Sequence, residues 1–377
     1  MEPVSFYEAP TRKELWNLLD QTCSENCDYV VIPHNSNLSN GYMFEEPDQD
    51  EMLIQSTKEP LVEIFQHKGS SECNVDPNDP LCNFEQLPYK DFRSKFQNDL
   101  SSSPDSSFVR EALGKGLLSQ DRQSINPLKF GVIASTDTHL GTPGAVDESS
   151  FQGHGGAGKS FRSSIPEGLP DDIEFNPGGL AVAWAEENSR SAIFDAFQRK
   201  EVYGTSGPRF IVRFFVGDNL DKNLCNNPDN ISYAYANATP MGGTIASDSL
   251  SQPSIFISAS ADSSIKDQFI EKLQVVKGVV RNGELLTTVH DVGVTNAQSK
   301  LDIANCEVTG SGEKAMCSVW NDPNFNSSEN AYYYVRVVAN KSCRWSHNLC
   351  LQNPEYCEAD SDASIPKVIQ ERAWTSP

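Results

Sequence analysis

Along the first half of the chain, short apolar runs alternate with stretches whose apolar residues recur at helical spacing. Residues 29–32 (YVVI), 61–65 (LVEIF) and 130–134 (FGVIA) are brief, apolar and mostly β-branched or aromatic, so each reads as a buried strand. Between them, Thr11 with Glu14 forms a capping box ahead of Leu15, Leu18 and Leu19, which share one helical face. A second helix is expected over residues 108–117 behind a serine cap. A third is expected over residues 188–200, with Ile193, Phe194 and Phe197 facing a core. From about Arg209 the pattern changes. Runs at 210–216, 254–260, 273–280 and 332–338 are β-rich and separated by Asn, Asp, Gly and Ser, which predicts a small antiparallel sheet or sandwich. The expected division is an α/β portion over residues 1–208 and a β-rich portion over residues 209–377.

Composition narrows the classes. With 377 residues the chain can hold about two domains, and its 38% hydrophobic content suffices for a core. The balance of 30 basic against 52 acidic residues leaves a net charge of −22, a surface that repels nucleic acid and anionic lipid. No apolar run approaches the roughly 18 residues of a membrane span, and the first residues carry no signal-peptide pattern. Ten cysteines fall mostly in local groups: Cys23 and Cys27, Cys73 and Cys82, Cys306 and Cys317, then Cys343, Cys350 and Cys357, with Cys225 apart. None has zinc-ribbon spacing, so local disulfides in an oxidising compartment are expected. Sequons at Asn230, Asn237, Asn326 and Asn340 are compatible with secretion.

Candidate chemistry lies at the strand ends. His34, His67 and His139 each stand just past one of the three apolar runs. The C-terminal ends of parallel strands share one face, so three imidazoles would meet there. Asp137 lies two residues before His139 and points the same way in an extended segment. Imidazole with carboxylate suits Zn, Mn or Fe. Glu63, a carboxylate inside an apolar run, must be paired or bind metal if buried, and Glu72 raises the same question. Lys68 and Arg209 are candidates to bind a small anionic substrate, and Asn35 to orient a ligand or water. His290 and His347 read as surface or packing residues.

The octet at residues 153–160, GHGGAGKS, matches the phosphate-loop pattern letter for letter. A working loop needs a buried strand before it and a helix after it. The preceding residues form no apolar run, and Pro166 and Pro170 cut a following helix short. The segment therefore reads as a glycine-rich lid after the Asp137–His139 run, with His154 catalytic or touching substrate and Lys159 facing an anion.

The stretches VIPHNSNLSNGYMF, EPLVEIFQHKGSSEC, FGVIASTDTHLGTPG, NPGGLAVAWAEENSRSAIFDAFQRKEVYGTSGPR and IQERAWTSP together resemble the DUF3604 family, which is similar to the PHP (polymerase and histidinol phosphatase) metal-dependent hydrolases. The resemblance implies an α/β fold, a distorted PHP-like (β/α) barrel with an appended β-rich region. It implies His34, Asp137 and His139 as metal ligands, with His67 and Glu63 as ligands or near-ligands of divalent Zn, Mn or Fe. The implied activity is hydrolysis of phosphoesters, with sulfate esters as a second class, through metal-activated water in a periplasmic or secreted protein. The family's opening Gly-Asp-Leu-His-x-His-like motif has no counterpart here. The barrel is thus expected to be incomplete at its N-terminus, the chain reading as a piece of a longer protein or one that has lost its first ligands. The competing expectation is a secreted, non-catalytic binding protein with a degenerate metal site.

Overall fold

A computed structural model describes the chain except for residues 1–3, 24–26, 98, 140, 142, 152–173 and 353–366. Its first elements are α1 (Arg12–Thr22), α2 (Gln49–Lys58), β1 (Leu61–Gln66), β2 (Gly69–Ser70), α3 (Phe92–Phe96), α4 (Val109–Gln123), β3 (Gly131–Ala134), β4 (Leu180–Ala183), α5 (Arg190–Gln198) and β5 (Val202–Thr205). There follow β6 (Ile211–Asp218), α6 (Asn230–Asn237), β7 (Thr239–Pro240), β8 (Pro253–Ser260), β9 (Ile270–Arg281) and β10 (Glu284–Val294). The chain closes with β11 (Ser299–Asp302), β12 (Glu307–Gly310), β13 (Ala315–Asn321), β14 (Ala331–Cys343), α7 (Trp345–Gln352) and β15 (Val368–Thr375).

Side-chain alternation on β9 and β14 organises the molecule. These strands lie inside an antiparallel sheet of order β10-β9-β14-β15-β5-β4. Leu273, Val275, Val335 and Val337 point to one face and pack with Phe214, Ile255 and Ile257 of a four-stranded sheet, β13-β8-β6-β7. The intervening Val276, Val280, Tyr332 and Tyr334, with Trp374, point to the other face and meet Val109 and Leu113 of α4 and Val62 and Phe65 of β1. A period of two thus buries both faces of the six-stranded sheet, making it the middle of three layers. The third layer is α4 with the small sheet β2-β1-β3, in which β1 and β3 are parallel.

Many expected elements form. The capping box is present, with Glu14 N–H donating to Thr11 Oγ1 (3.3 Å) and Thr11 N–H donating to Glu14 Oε2 (3.0 Å). All four expected runs after Arg209 are strands. Helix α4 has no side-chain cap; its N-cap is Phe108. The N–H groups of Val109 and Arg110 donate instead to the carbonyls of Ser71 (2.9 Å) and Glu72 (3.0 Å), so the neighbouring chain does the work of a serine. Residues 29–32 form no regular strand. They are tied to their neighbour by Val31 N–H to the Lys58 carbonyl (2.9 Å), and the Pro33 carbonyl accepts from Glu63 N–H (3.0 Å).

The fold is mixed α/β, but no closed barrel forms among the described residues. A (β/α) barrel requires repeated parallel strand–helix units, and the described residues make one parallel pair, β1 and β3, before β4 and β5 join the antiparallel sheet. That sheet takes two strands from before residue 208 and four from after it. No described helix is long and apolar enough to cross a membrane.

Disulfides join Cys23–Cys27 and Cys73–Cys82, as the local groups suggested. Cys306 and Cys317 do not pair with each other. Cys317 lies on β13 and bonds Cys225 beneath that sheet, while Cys306, beside β12, bonds Cys343 at the end of β14. Sheet assignment, invisible to spacing, separates the two. These four bonds, all between described residues, fit an oxidising compartment. Asn340 is buried and its amide donates to the Asp267 carbonyl (3.2 Å), which removes it as a glycan acceptor. Cys225–Cys317 closes a sequence separation of 92 residues. Replacing both cysteines with serine is expected to cost about 2–4 kcal/mol of unfolding free energy in denaturant titration, against a smaller loss for Cys23–Cys27, which spans 4 residues.

Candidate functional site

Parallel pairing brings two strand ends together. β1 and β3 pair from Leu61↔Gly131 to Glu63↔Ile133, the register shifts by one residue so that Phe65 opposes Ala134, and Ser135 N–H extends the pairing to the Phe65 carbonyl (3.0 Å). Beyond them run Gln66–His67–Lys68 and Ser135–Thr136–Asp137. His67 and Lys68 are the two turn residues of the hairpin into β2, whose register pairs Gln66 with Gly69. Asp137 adopts φ 49°, a left-handed conformation that costs energy for a side chain other than glycine and that Asp tolerates better than most.

The Asp137 carboxylate is the hub. Its Oδ2 accepts from Gln66 Nε2 (3.1 Å), forms an ion pair with Lys68 Nζ and lies 3.6 Å from His67 Nδ1. Its Oδ1 lies 3.5 Å from His139 Nε2, whose side chain is mostly exposed. His67 is fully buried, with its ring edge-on to Phe175 at 5.5 Å. Its Nδ1 stands 3.0 Å from the Thr136 carbonyl, which can only accept, so Nδ1 carries the proton and Nε2 is the basic nitrogen. Burial pulls the Lys68 ammonium down to about 8, with the Glu63 carboxylate opposing. Gly178 lets the chain close over this corner. Its φ is 86°, and a Cβ there would stand 2.7 Å from Thr136 Cα.

Glu63 occupies the adjoining level. Its Oε1 accepts from Ser135 Oγ, a hydroxyl that also receives Asp137 N–H (3.2 Å), and its Oε2 is buried with no hydrogen-bond partner among the described residues. Burial raises its pKa, against the hydrogen bond from Ser135 and the nearby charges of His34 and Lys68. His34 is exposed. Asn35 is left-handed at φ 56°, and its Oδ1 is buried without a hydrogen-bond partner among the described residues.

The structure therefore gathers His67, Lys68, Asp137 and His139 into one cluster, with Glu63 beneath it. Among the described residues, no three of His34, Glu63, His67, Asp137 and His139 bring ligand atoms mutually within 4.8 Å. The groups that do, Cys306–Cys343–His347 and Cys73–Asp79–Cys82, contain disulfide-bonded cysteines, whose sulfurs are not thiolate ligands. Arg209 is exposed and lines a separate cleft, its backbone N–H donating to Asp262 Oδ2 (2.7 Å). His154 and Lys159 lie outside the described residues.

Glu72 is committed elsewhere. Its Oε1 accepts from Arg110 Nη2 (2.8 Å), Arg336 Nη1 (3.0 Å) and the Tyr334 hydroxyl (2.8 Å), and its Oε2 from Trp374 Nε1 (2.7 Å). Asp79 joins the same two arginines, at 2.9 Å from Arg110 Nη2 and 2.8 Å from Arg336 Nη2. This buried network fastens the α4 layer to the six-stranded sheet. Gln66 and Ser135 were not singled out in the sequence, although each adjoins the site; only their position at the strand ends could have marked them.

A family model described as "Protein of unknown function (DUF3604)" matches residues 1–377. No curated protein and no solved structure matches the chain.

Proposed function

The chain belongs to the DUF3604 family, and from that premise we propose that it is a metal-dependent hydrolase of phosphoesters, related to the PHP enzymes. The observation that carries the reading is the convergence of His67, Lys68 and His139 on Asp137 at the ends of the parallel pair. The donor set suits Zn, Mn or Fe. His67 has the tautomer of a metal-binding imidazole, oriented by a backbone carbonyl through Nδ1, and Glu63 Oε2 is a buried oxygen that a cation would relieve. His67, Asp137 and His139 would hold the ion, with Glu63 and His34 at the adjoining edge. A bound ion would lower the pKa of its water and neutralise charge on the ester. Lys68, once released from Asp137, would attract the anionic group, and Asn35 Oδ1 would orient a water. Phosphate esters lead and sulfate esters follow as substrates, in a periplasmic or secreted setting.

The full chain should take up Zn, Mn or Fe and hydrolyse p-nitrophenyl phosphate, lose that activity to a chelator and regain it with metal; p-nitrophenyl sulfate tests the second class. A protein that binds none of the three metals and shows no thermal shift with them would sink this reading. The Lys68–Asp137 ion pair favours the second reading, a non-catalytic binding protein, because the ammonium already neutralises Asp137.

A further inference from the structure

The turn between β11 and β12 carries Cys306 to the cleft that Arg209 lines, a space of about 720 Å³. There Cys306 bonds Cys343, the last residue of β14, and both cysteines line the cleft. His347, on the first turn of α7, is 9% exposed, and one of its ring nitrogens and the two sulfurs lie mutually within 4.8 Å. Its Nε2 is 2.8 Å from the Ile303 carbonyl, which can only accept, so Nε2 carries the proton and Nδ1 keeps its lone pair. Ile303 belongs to the same turn as Cys306, so this hydrogen bond holds the turn against α7 whether or not the sulfurs are joined. The hairpin itself is a two-stranded sheet outside the larger ones. Cys306 adopts φ 53°, a costly left-handed conformation that the backbone is free to leave once the sulfurs part.

We propose that Cys306, Cys343 and His347 form a redox-gated metal site, a disulfide when oxidised and a Cys2His site for zinc when reduced. Two thiolates and an imidazole whose other nitrogen donates to a backbone carbonyl are the donors and the orienting contact that zinc uses. With Zn–S distances of about 2.3 Å, the sulfurs of a tetrahedral site stand about 3.8 Å apart, a separation that a small shift of the turn supplies. Water from the cleft takes the fourth position. Cys73, Asp79 and Cys82 also stand within 4.8 Å of one another, but both sulfurs are buried and Asp79 is held by Arg110 and Arg336. That trio has neither access nor an uncommitted carboxylate.

The reductant is a dithiol, which reaches the bond through the cleft. Its thiolate attacks Sγ of the half-buried Cys306, and the buried Cys343 leaves as a thiolate. The reductant's second thiol then closes its own disulfide and frees Cys306. Two electrons thus pass from the dithiol to the cystine, and zinc displaces the protons of the two thiols formed. In an oxidising compartment the bond stays closed until such a dithiol meets it. The site shares no residue with the Asp137 cluster, and either assignment can fail alone.

The test reduces the full chain with dithiothreitol under native conditions, desalts it without oxygen and titrates it with cobalt, then zinc. The reduced wild type should develop a thiolate-to-cobalt charge-transfer band that zinc abolishes, and the oxidised wild type should show none. Cys306→Ser and Cys343→Ser should lose the band, and His347→Ala should weaken cobalt binding at least about tenfold. Oxidised His347→Ala retains the disulfide and should keep a native near-UV circular dichroism spectrum, which separates loss of a ligand from loss of the fold. The double variant Cys225→Ser/Cys317→Ser should keep the band, and so should Asp137→Asn. A reduced wild type without the band, whether folded or unfolded, or a band unchanged in Cys306→Ser or His347→Ala, would overturn the proposal.

Discussion

Replacing Arg336 with methionine is expected to destabilise the protein by about 3–5 kcal/mol, the range for removing one partner of a buried ion network. Arg336 is 0% exposed and donates to Glu72, Asp79 and, through Nε, to Gln274 Oε1 (2.9 Å). Methionine fills much of the volume but leaves those acceptors dry and short of donors. Arg281→Met is the control, because its pair with Glu329 at 2.7 Å is half in water and should cost no more than about 1 kcal/mol. Denaturant titration of both variants decides the matter, and equal small losses would mean that the network contributes nothing to holding the layers together. Acid should find the same point. Although burial works against it, the charges of Arg336, Arg110 and Arg372 hold Glu72 far below the ordinary glutamate range. A depressed carboxyl stabilises the fold above its unfolded value of about 4.3, and that contribution is lost as pH falls below it.

Asp137→Asn should reduce kcat/KM for p-nitrophenyl phosphate by at least about 100-fold, beyond the 10–100-fold typical of residues that only orient a ligand. The substitution keeps size and shape, yet removes the charge on which Lys68, His67 and His139 converge. Side-chain exposure of 19% keeps the stability cost modest, so steady-state kinetics and thermal unfolding separate a site effect from a folding one. Lys68→Met in parallel separates the two functional readings. If Lys68 serves only to neutralise Asp137, metal uptake should rise; if it binds substrate, KM should rise instead. An Asp137→Asn protein with full activity would remove Asp137 from the site.

What sequence could reveal depended on the range of the interaction involved. The helix start at Thr11 and Glu14, the four strands after Arg209 and the bonds Cys23–Cys27 and Cys73–Cys82 are made between near neighbours, where spacing and alternation state the geometry directly. Three of the strand-end residues, His67, Asp137 and His139, were marked in the same way, since parallel strands put their ends on one face. Long-range partners were not legible. Cys306 and Cys317 are close in sequence but belong to different parts of the sheet framework, so each bonds a distant cysteine. Glu72 and Arg336 are 264 residues apart and are joined only by the stacking of the layers. By itself, then, the sequence determined most local elements, the acidic composition and the place of His67 and Asp137 beyond the ends of β1 and β3, but not His34, since residues 29–32 form no regular strand. Only the tertiary structure decided that β1 and β3 form a single parallel pair rather than a closed barrel, that Lys68 turns in upon Asp137 and that Arg209 serves another cleft. Those outcomes depend on how layers stack, and stacking is set by the sum of many distant contacts rather than by any one stretch of chain.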